Sequence, residues 1–412
     1  MRRSIALIAA AGLSLALTAC GGSEEKKGDE GKGSGSEAPA GGASLVIWTD
    51  ANREAAFKKA ADKYTEATGN TVQIVVKDND QARSEFTAQA ATGEGPDILF
   101  GANDWLGEFV SNGLVAPVEL GDKASEFNPL AVSAFTYQGA TYGVPYAVEN
   151  LAIIRNTDLV DSTPATFDEM IAKGKAAGVQ YPFIMQLSEN GDPYTMYPFE
   201  ASFTGPIFEL DANKSYTNKL NLGGDQGKAF AQWLYNKGPK GENILQPTIT
   251  YDIAVDAFKT GKSPYIVGGP WMLPDFKDMH IAVDPIPSAG PGKSTPLLGV
   301  QGGYISAHSK NAVLATDFLV NYVGSEEIQT ALYEIGQRLP ALKASADKAA
   351  SDPLMAGFAK AGAEALPMPS LPEMAAVWSF WGRTEGQIVA GADPASTWDK
   401  MISDIETEMK KK

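Results

Sequence analysis

Residues 44–100 read SLVIWTDANREAAFKKAADKYTEATGNTVQIVVKDNDQARSEFTAQAATGEGPDILF. Leu45-Val46-Ile47-Trp48 is a short apolar run of strand type. Phe57, Ala60, Ala61, Tyr64 and Ala67 recur at helical spacing, and Gly69 supplies the stop. Val72 to Val76 reads as a second strand, Ala82 to Ala91 as a second helix, and Asp97-Ile98-Leu99-Phe100 as a third strand. This alternation predicts an α/β fold with a parallel sheet covered by helices.

Working outward, the next strand is Leu151 to Ile154, and Thr166-Phe167-Asp168-Glu169 has the form of a capping box. Tyr181 to Leu187 and Tyr265 to Val267 read as strands of a second α/β unit. The last hundred residues are mostly helical, and Trp398, Met401, Ile402, Ile405 and Met409 form the apolar stripe of the final helix. Trp48, Trp233 and Trp398 are expected in cores. Met374, Val377, Trp378 and Trp381 fall at the spacing of one helix face.

The N-terminus is an address. Met1-Arg2-Arg3 is a positive start, and Ile5 to Ala19 is uncharged and mostly apolar. As a helix that run would reach about 22 Å, short of the roughly 30 Å hydrocarbon core, so residues 1–19 read as a signal peptide. Leu17-Thr18-Ala19-Cys20 resembles a bacterial lipobox, in which the cysteine carries the lipid. Attachment at Cys20 would anchor the protein stably to the membrane, because the modified end bears more than one acyl chain. Residues 20–43 are Gly, Ser and charge with no large apolar side chain, which reads as a flexible tether.

Composition excludes several functions. The chain has 412 residues, with 34 Lys plus Arg against 50 Asp plus Glu, a net charge of −16. That charge argues against nucleic acid, whose phosphates need a basic face. One Cys and two His leave no zinc constellation and no internal disulfide. No cofactor motif stands out. Gly261-Lys262-Ser263 and Gly292-Lys293-Ser294 lack the first glycine of a phosphate loop and read as solvated turns. Carboxylates are plentiful, so composition alone leaves a two-carboxylate glycosidase open.

In open α/β sheets, ligands sit outside the carboxyl ends of strands. Asp50, Asn52 and Arg53 follow the first strand, Asn103, Asp104 and Trp105 the third, and Gly268-Gly269-Pro270-Trp271 the strand at 265–267. Asp50, Asn52 and Asp104 also suit helix caps. Trp271, set behind Gly-Gly-Pro, is the stronger ligand candidate.

An ordered set of motifs then carries a likeness. Ser44-Leu45-Val46-Ile47-Trp48, Thr92-Gly93-Glu94-Gly95-Pro96-Asp97, Val144-Pro145-Tyr146-Ala147-Val148-Glu149, Gly269-Pro270-Trp271 and Met368-Pro369-Ser370-Leu371-Pro372 resemble the maltose/maltodextrin-binding protein family of ABC importers. The resemblance implies two lobes joined by a hinge, with a sugar between them. It places 44–147 and 303–350 in one lobe and 151–302 and 351–412 in the other. Asp50, Asn52, Arg53, Asp104 and Glu149 would hydrogen-bond hydroxyls. Tyr194, Trp271 and Trp378 would stack on sugar faces, and Met368 would line the cleft. The hinge would lie near Val148-Glu149-Asn150 and Gly302-Gly303.

Departures from the family pattern are specific. Gly101 stands where a stacking Trp is expected, and Trp105 is placed to compensate. Arg83 and Ser84 replace a pair of glutamates, Asp192 replaces a Glu, and Gly382 replaces a cleft Arg, with Arg383 beside it. The implied partners are an oligosaccharide, the permease subunits and, through the lipid anchor, the membrane, with the protein itself a monomer. The residues leave the sugar open among maltodextrins, trehalose, cyclodextrins and other α-glucosides. A secreted glycosidase and a ligand-free surface lipoprotein are the competing classes.

Overall fold

The computed structural model describes residues 42–411, Asn213 excepted. The expected signal peptide, Cys20 and all but the last two residues of the tether lie outside the described residues.

The opening alternation folds as its spacing dictates. Strand β1 (Ser44–Thr49) leads into helix α1 (Ala51–Thr68), which buries Phe57, Ala60, Ala61 and Tyr64 on one face. Asp50 caps α1 by accepting the Arg53 N–H at 3.2 Å. Gly69 ends it with φ +74°, a conformation that glycine adopts without a Cβ penalty. Strand β2 (Thr71–Val76), helix α2 (Asn79–Ala90) and strand β3 (Ile98–Ala102) follow. Both β2 and β3 pair parallel to β1.

The sheet is mixed rather than wholly parallel. Strand β4 (Gly143–Glu149) is buried along its whole length. Strand β5 (Ala152–Asn156) follows after two residues. Much later in the chain come β6 (Tyr265–Gly268), β7 (Ile281–Asp284) and β8 (Leu297–Ser306). Strand β8 inserts between β3 and β4, antiparallel to both. Leu339–Pro340 adds the edge beside β4. The second sheet has three antiparallel strands in the order β6-β5-β7. The strand expected at Tyr181 to Leu187 is not formed. That segment makes one isolated bridge, Ile184 to Ile266, and Pro182 within it has no N–H to donate to a ladder.

The buried side chains divide between lobes. One core gathers β1, β3, β4 and most of β8 with Phe57, Phe100, Tyr146, Phe318 and Leu342. Phe57 stacks on Phe100 at 3.8 Å between ring centroids. The second lobe holds a core around Phe199, Phe230, Trp381 and Trp398. Another cluster there packs Ile154, Phe258, Ile266 and Phe276. Trp398 meets Phe230 edge to face at 5.5 Å, as the stripe on the last helix predicts. Trp233 is half-buried but sits in the same aromatic cluster, beside Phe167, Phe199 and Phe230.

Gly302 and Gly303 do not form a crossing. They lie inside β8, paired with Gly101 and Phe100 on one side and with Pro145 and Val144 on the other. Their missing side chains make room for the core: a Cβ at Gly302 would lie 2.4 Å from the Phe135 ring, and one at Gly303 2.5 Å from Leu319. The return of the chain between cores falls earlier, because Leu297 packs in the second core and Leu298 in the first. The turn Gly261-Lys262-Ser263 is only partly solvated, since Ser263 is buried and donates to the Tyr265 carbonyl at 2.9 Å.

Candidate functional site

The carboxyl ends of β1, β3 and β4 deliver the polar half of the site. Asp50 is committed twice to Arg53, through the cap and through an ion pair at 2.9 Å. Arg53 is buried, and its guanidinium lies over the Tyr146 ring at 5.7 Å from the centroid. Burial works against its charge, but Tyr146, Asp50 and Glu149 outweigh that cost and hold it above its ordinary range. Asn52 is exposed on the first turn of α1. With Arg53, Tyr146 and Arg338 it borders a cavity of about 10 Å³.

Glu149, at the end of β4, is buried and held at both oxygens. Gln301 Nε2 donates to one at 2.8 Å, and Arg338 Nε donates to the other at 2.7 Å. Sequence reasoning missed both partners. Gln301 directly precedes Gly302-Gly303, which were read only as a hinge. Arg338 carries no local signal at all.

Asp104 leaves β3 in a one-turn helix and is buried. Burial pushes its carboxyl up, opposed by the nearby Arg83 charge and by the Trp378 N–H. Arg83 itself donates through Nε to Glu108 at 2.9 Å, so its guanidinium is tied within the first lobe. Asn103, named in the sequence beside Asp104 at the end of the third strand, is a buried strut. It donates to the Met368 carbonyl at 3.0 Å and accepts the Val300 N–H at 3.0 Å.

Trp105 fills the space that Gly101 leaves. A Cβ at Gly101 would lie 2.0 Å from Trp105 Cζ3, so the indole rests on the glycine backbone. Trp105 is buried in the first core.

The second lobe supplies rings. Asp192 caps the helix Pro193–Thr204, accepting the Thr195 N–H at 3.0 Å and the Thr195 hydroxyl at 2.8 Å, and Gln186 also donates to it. Desolvation pushes its carboxyl up. Tyr194 begins that helix, with its ring 6.4 Å from Trp271. Burial pushes the Tyr194 phenol well up, and the charges of Glu149, Asp192 and Asp104 add to the effect. Trp271 folds back over Gly269, where a Cβ would meet the ring at 2.1 Å. Trp378, on the helix Met374–Val389, is half-buried and donates from Nε1 to Asp104 Oδ2 at 2.9 Å.

Met368 and Arg383 make no side-chain contact with this group among the contacts described. Met368 is buried in the second core, and it is its backbone that joins Asn103 and Leu298. Arg383 is exposed on its helix. Gly382 beside it is a contact point for the loop 189–191. A Cβ there would lie 2.8 Å from the Asn190 carbonyl, and Gly191 with φ +73° presses on the Gly382 backbone. A larger residue at 382 would push that loop away.

The assembled surface sets flat aromatic faces opposite carboxylates and guanidinium groups. That is the complement of a neutral polyhydroxylated ring, which has apolar faces and a polar rim. Among the described residues no group of three or more His, Cys, Asp or Glu is arranged to hold a metal ion.

Comparison with known proteins agrees in class. The family model described as bacterial extracellular solute-binding protein matches residues 59–357. The maltotriose-binding protein of Pyrococcus abyssi is 29% identical over 395 residues, covering 91% of this chain and 82% of that protein. A Streptococcus pneumoniae maltooligosaccharide ABC transporter solute-binding lipoprotein is 25% identical over 409 residues, covering 96% and 94%. The solved Thermus thermophilus maltotriose binding protein, bound with maltotriose, superimposes with a TM-score of 0.80 at 27% identity. It covers 89% of this chain and 100% of its own.

Proposed function

The chain belongs to the bacterial extracellular solute-binding proteins, and from that premise we propose that it captures maltooligosaccharides between its lobes and delivers them to an ABC importer. The observation that carries the reading is the meeting of rings from one lobe with charged groups from the other: Trp378 donates to Asp104, and Trp271 lies against Arg338, the partner of Glu149. Neither lobe alone could satisfy both the faces and the hydroxyls of a sugar. A ligand that needs both favours the state in which the lobes meet, and only such differential affinity shifts the equilibrium.

The reading is binding rather than hydrolysis. A glycosidase needs one carboxyl free to give a proton and another free to attack or to activate water. Here Glu149 has both oxygens engaged, Asp192 is a helix cap, and Asp50 is paired with Arg53. Prolonged incubation with maltotriose should yield no product.

We place the lobes at 44–147 with 298–350 and at 151–297 with 351–412, because β8 returns from one core to the other at Leu297–Leu298. The protein acts as a monomer tethered outside the cytoplasm through lipidated Cys20. The Leu-Thr-Ala-Cys motif supports the anchor, and Cys20→Ala should release the protein from the membrane fraction. Thermal-shift screening of the full chain against maltotriose, trehalose, cyclodextrins and galactosides tests the ligand, because whatever binds the folded state raises its melting temperature. Stabilisation by trehalose or cyclodextrin but not by maltotriose would reassign the sugar.

A further inference from the structure

We infer that Arg338 is a positioning residue of the cleft, which sets Glu149 and Trp271 relative to one another across the two lobes. The inference rests on reading the cleft as a sugar site.

Arg338 precedes the edge strand Leu339–Pro340 of the first lobe, 189 residues from Glu149 in sequence. It is buried, at 6% exposure. Its Nε donates to Glu149 Oε2 at 2.7 Å, while its guanidinium carbon lies 5.8 Å from the centroid of the Trp271 ring. One planar cation thus contacts the carboxylate of one lobe and the aromatic face of the other. Arg suits this double task because the guanidinium is flat, stacks on rings and keeps further N–H groups to donate in its plane. An ammonium could pair with Glu149 but would be a point charge without the stacking plane.

The arrangement also explains how Glu149 works without free oxygens. With Gln301 on Oε1 and Arg338 on Oε2, its orientation is fixed before any ligand arrives. A carboxylate oxygen has a second lone pair for a hydroxyl. Preorganisation of this kind raises affinity by removing an ordering cost from the binding step.

The test uses the full chain purified in detergent. Arg338→Met leaves Glu149 charged and half-partnered in a buried place and stands to unfold the lobe. The informative variants are therefore Arg338→Lys, which keeps the charge, Glu149→Gln, and the two combined. Titration calorimetry with maltotriose should show Arg338→Lys weakened about tenfold or more, the scale of one charge-assisted hydrogen bond. The double variant should lose less than the product of the losses caused by Arg338→Lys and Glu149→Gln, the mark of two groups acting as a unit.

A ligand-free readout separates this idea from the sugar assignment. In a ¹⁵N-labelled sample, Trp271→Phe identifies the Trp271 indole resonance, and Arg338→Lys should displace it. If wild-type protein binds no sugar in the panel, the ligand reading fails while the indole shift still supports Arg338 as the interlobe positioner. If maltotriose binds Arg338→Lys as it binds wild type and the Trp271 resonance does not move, Arg338 is a structural ion-pair partner only and the inference is overturned.

Discussion

Trp378 on the second lobe donates its indole N–H to Asp104 on the first, at 2.9 Å. The hydrogen bond joins residues 274 positions apart. A sugar entering between them would take over the carboxylate with its hydroxyls and leave the ring as a platform.

That relationship separates the roles of ring and donor. Trp378→Phe keeps an aromatic face and deletes the N–H, and maltotriose affinity should stay within about threefold of wild type, since a net hydrogen bond contributes little once the ligand replaces it. Trp378→Ala should cost about 2 kcal/mol or more, roughly thirtyfold, as for a buried aromatic anchor. Calorimetric titration of both variants decides the matter. Equal losses would mean that the hydrogen bond, and not the ring, matters.

The Gly101–Trp105 contact predicts a stability effect. Gly101→Ala would put a methyl group 2.0 Å from Trp105 Cζ3 in a packed core. The indole would have to leave its seat, costing about 1–3 kcal/mol by overpacking. Calorimetric melting of the ligand-free variant should show the drop. An unchanged melting temperature would mean that the indole is loosely held.

Glu200 and Glu385 give a pH signature. Both are fully buried, and Glu200 accepts the Trp381 N–H at 2.9 Å, while neither Glu385 oxygen has a protein partner. Burial pushes the Glu385 carboxyl well up, and the nearby Glu200 and Asp192 push it further. Burial likewise raises Glu200, against the pull of the Trp381 N–H. A folded-state value raised above the unfolded one stabilises the fold fully below the unfolded value, near pH 4–5, and that stability is lost as pH rises through the folded value. Wild type should therefore lose stability on raising the pH from about 5. Glu385→Gln, neutral at every pH, should flatten that slope and melt higher than wild type on the alkaline side. Parallel pH profiles would show that the pair does not hold its proton.

Closure should be visible in solution. The chain passes from the first core to the second between β4 and β5, and Asn150 at that point is buried and donates to the Phe358 carbonyl at 3.1 Å. Saturating maltotriose should reduce the radius of gyration by small-angle scattering, because hinge closure brings two compact bodies together. Superimposable curves under proven saturation would mean a site that binds without closing.

Local grammar was legible from residues alone. The period of Phe57, Ala60 and Tyr64, the cap at Asp50, the stop at Gly69 and the stripe through Trp398 are set by neighbours a few positions apart, so the sequence determined them. The ordered motifs further implied two lobes and the aromatic and carboxylate candidates. Tertiary structure decided which of those candidates meet and what each is doing. Asp192 turned out to cap a helix, and Arg83 to be tied to Glu108. Glu149 acquired Gln301 and Arg338 from 152 and 189 residues away. Such pairings depend on β8 inserting between β3 and β4, a choice made by burial and register over the whole sheet. No periodicity within one segment encodes it, because the energy that selects it is shared among strands far apart in the chain.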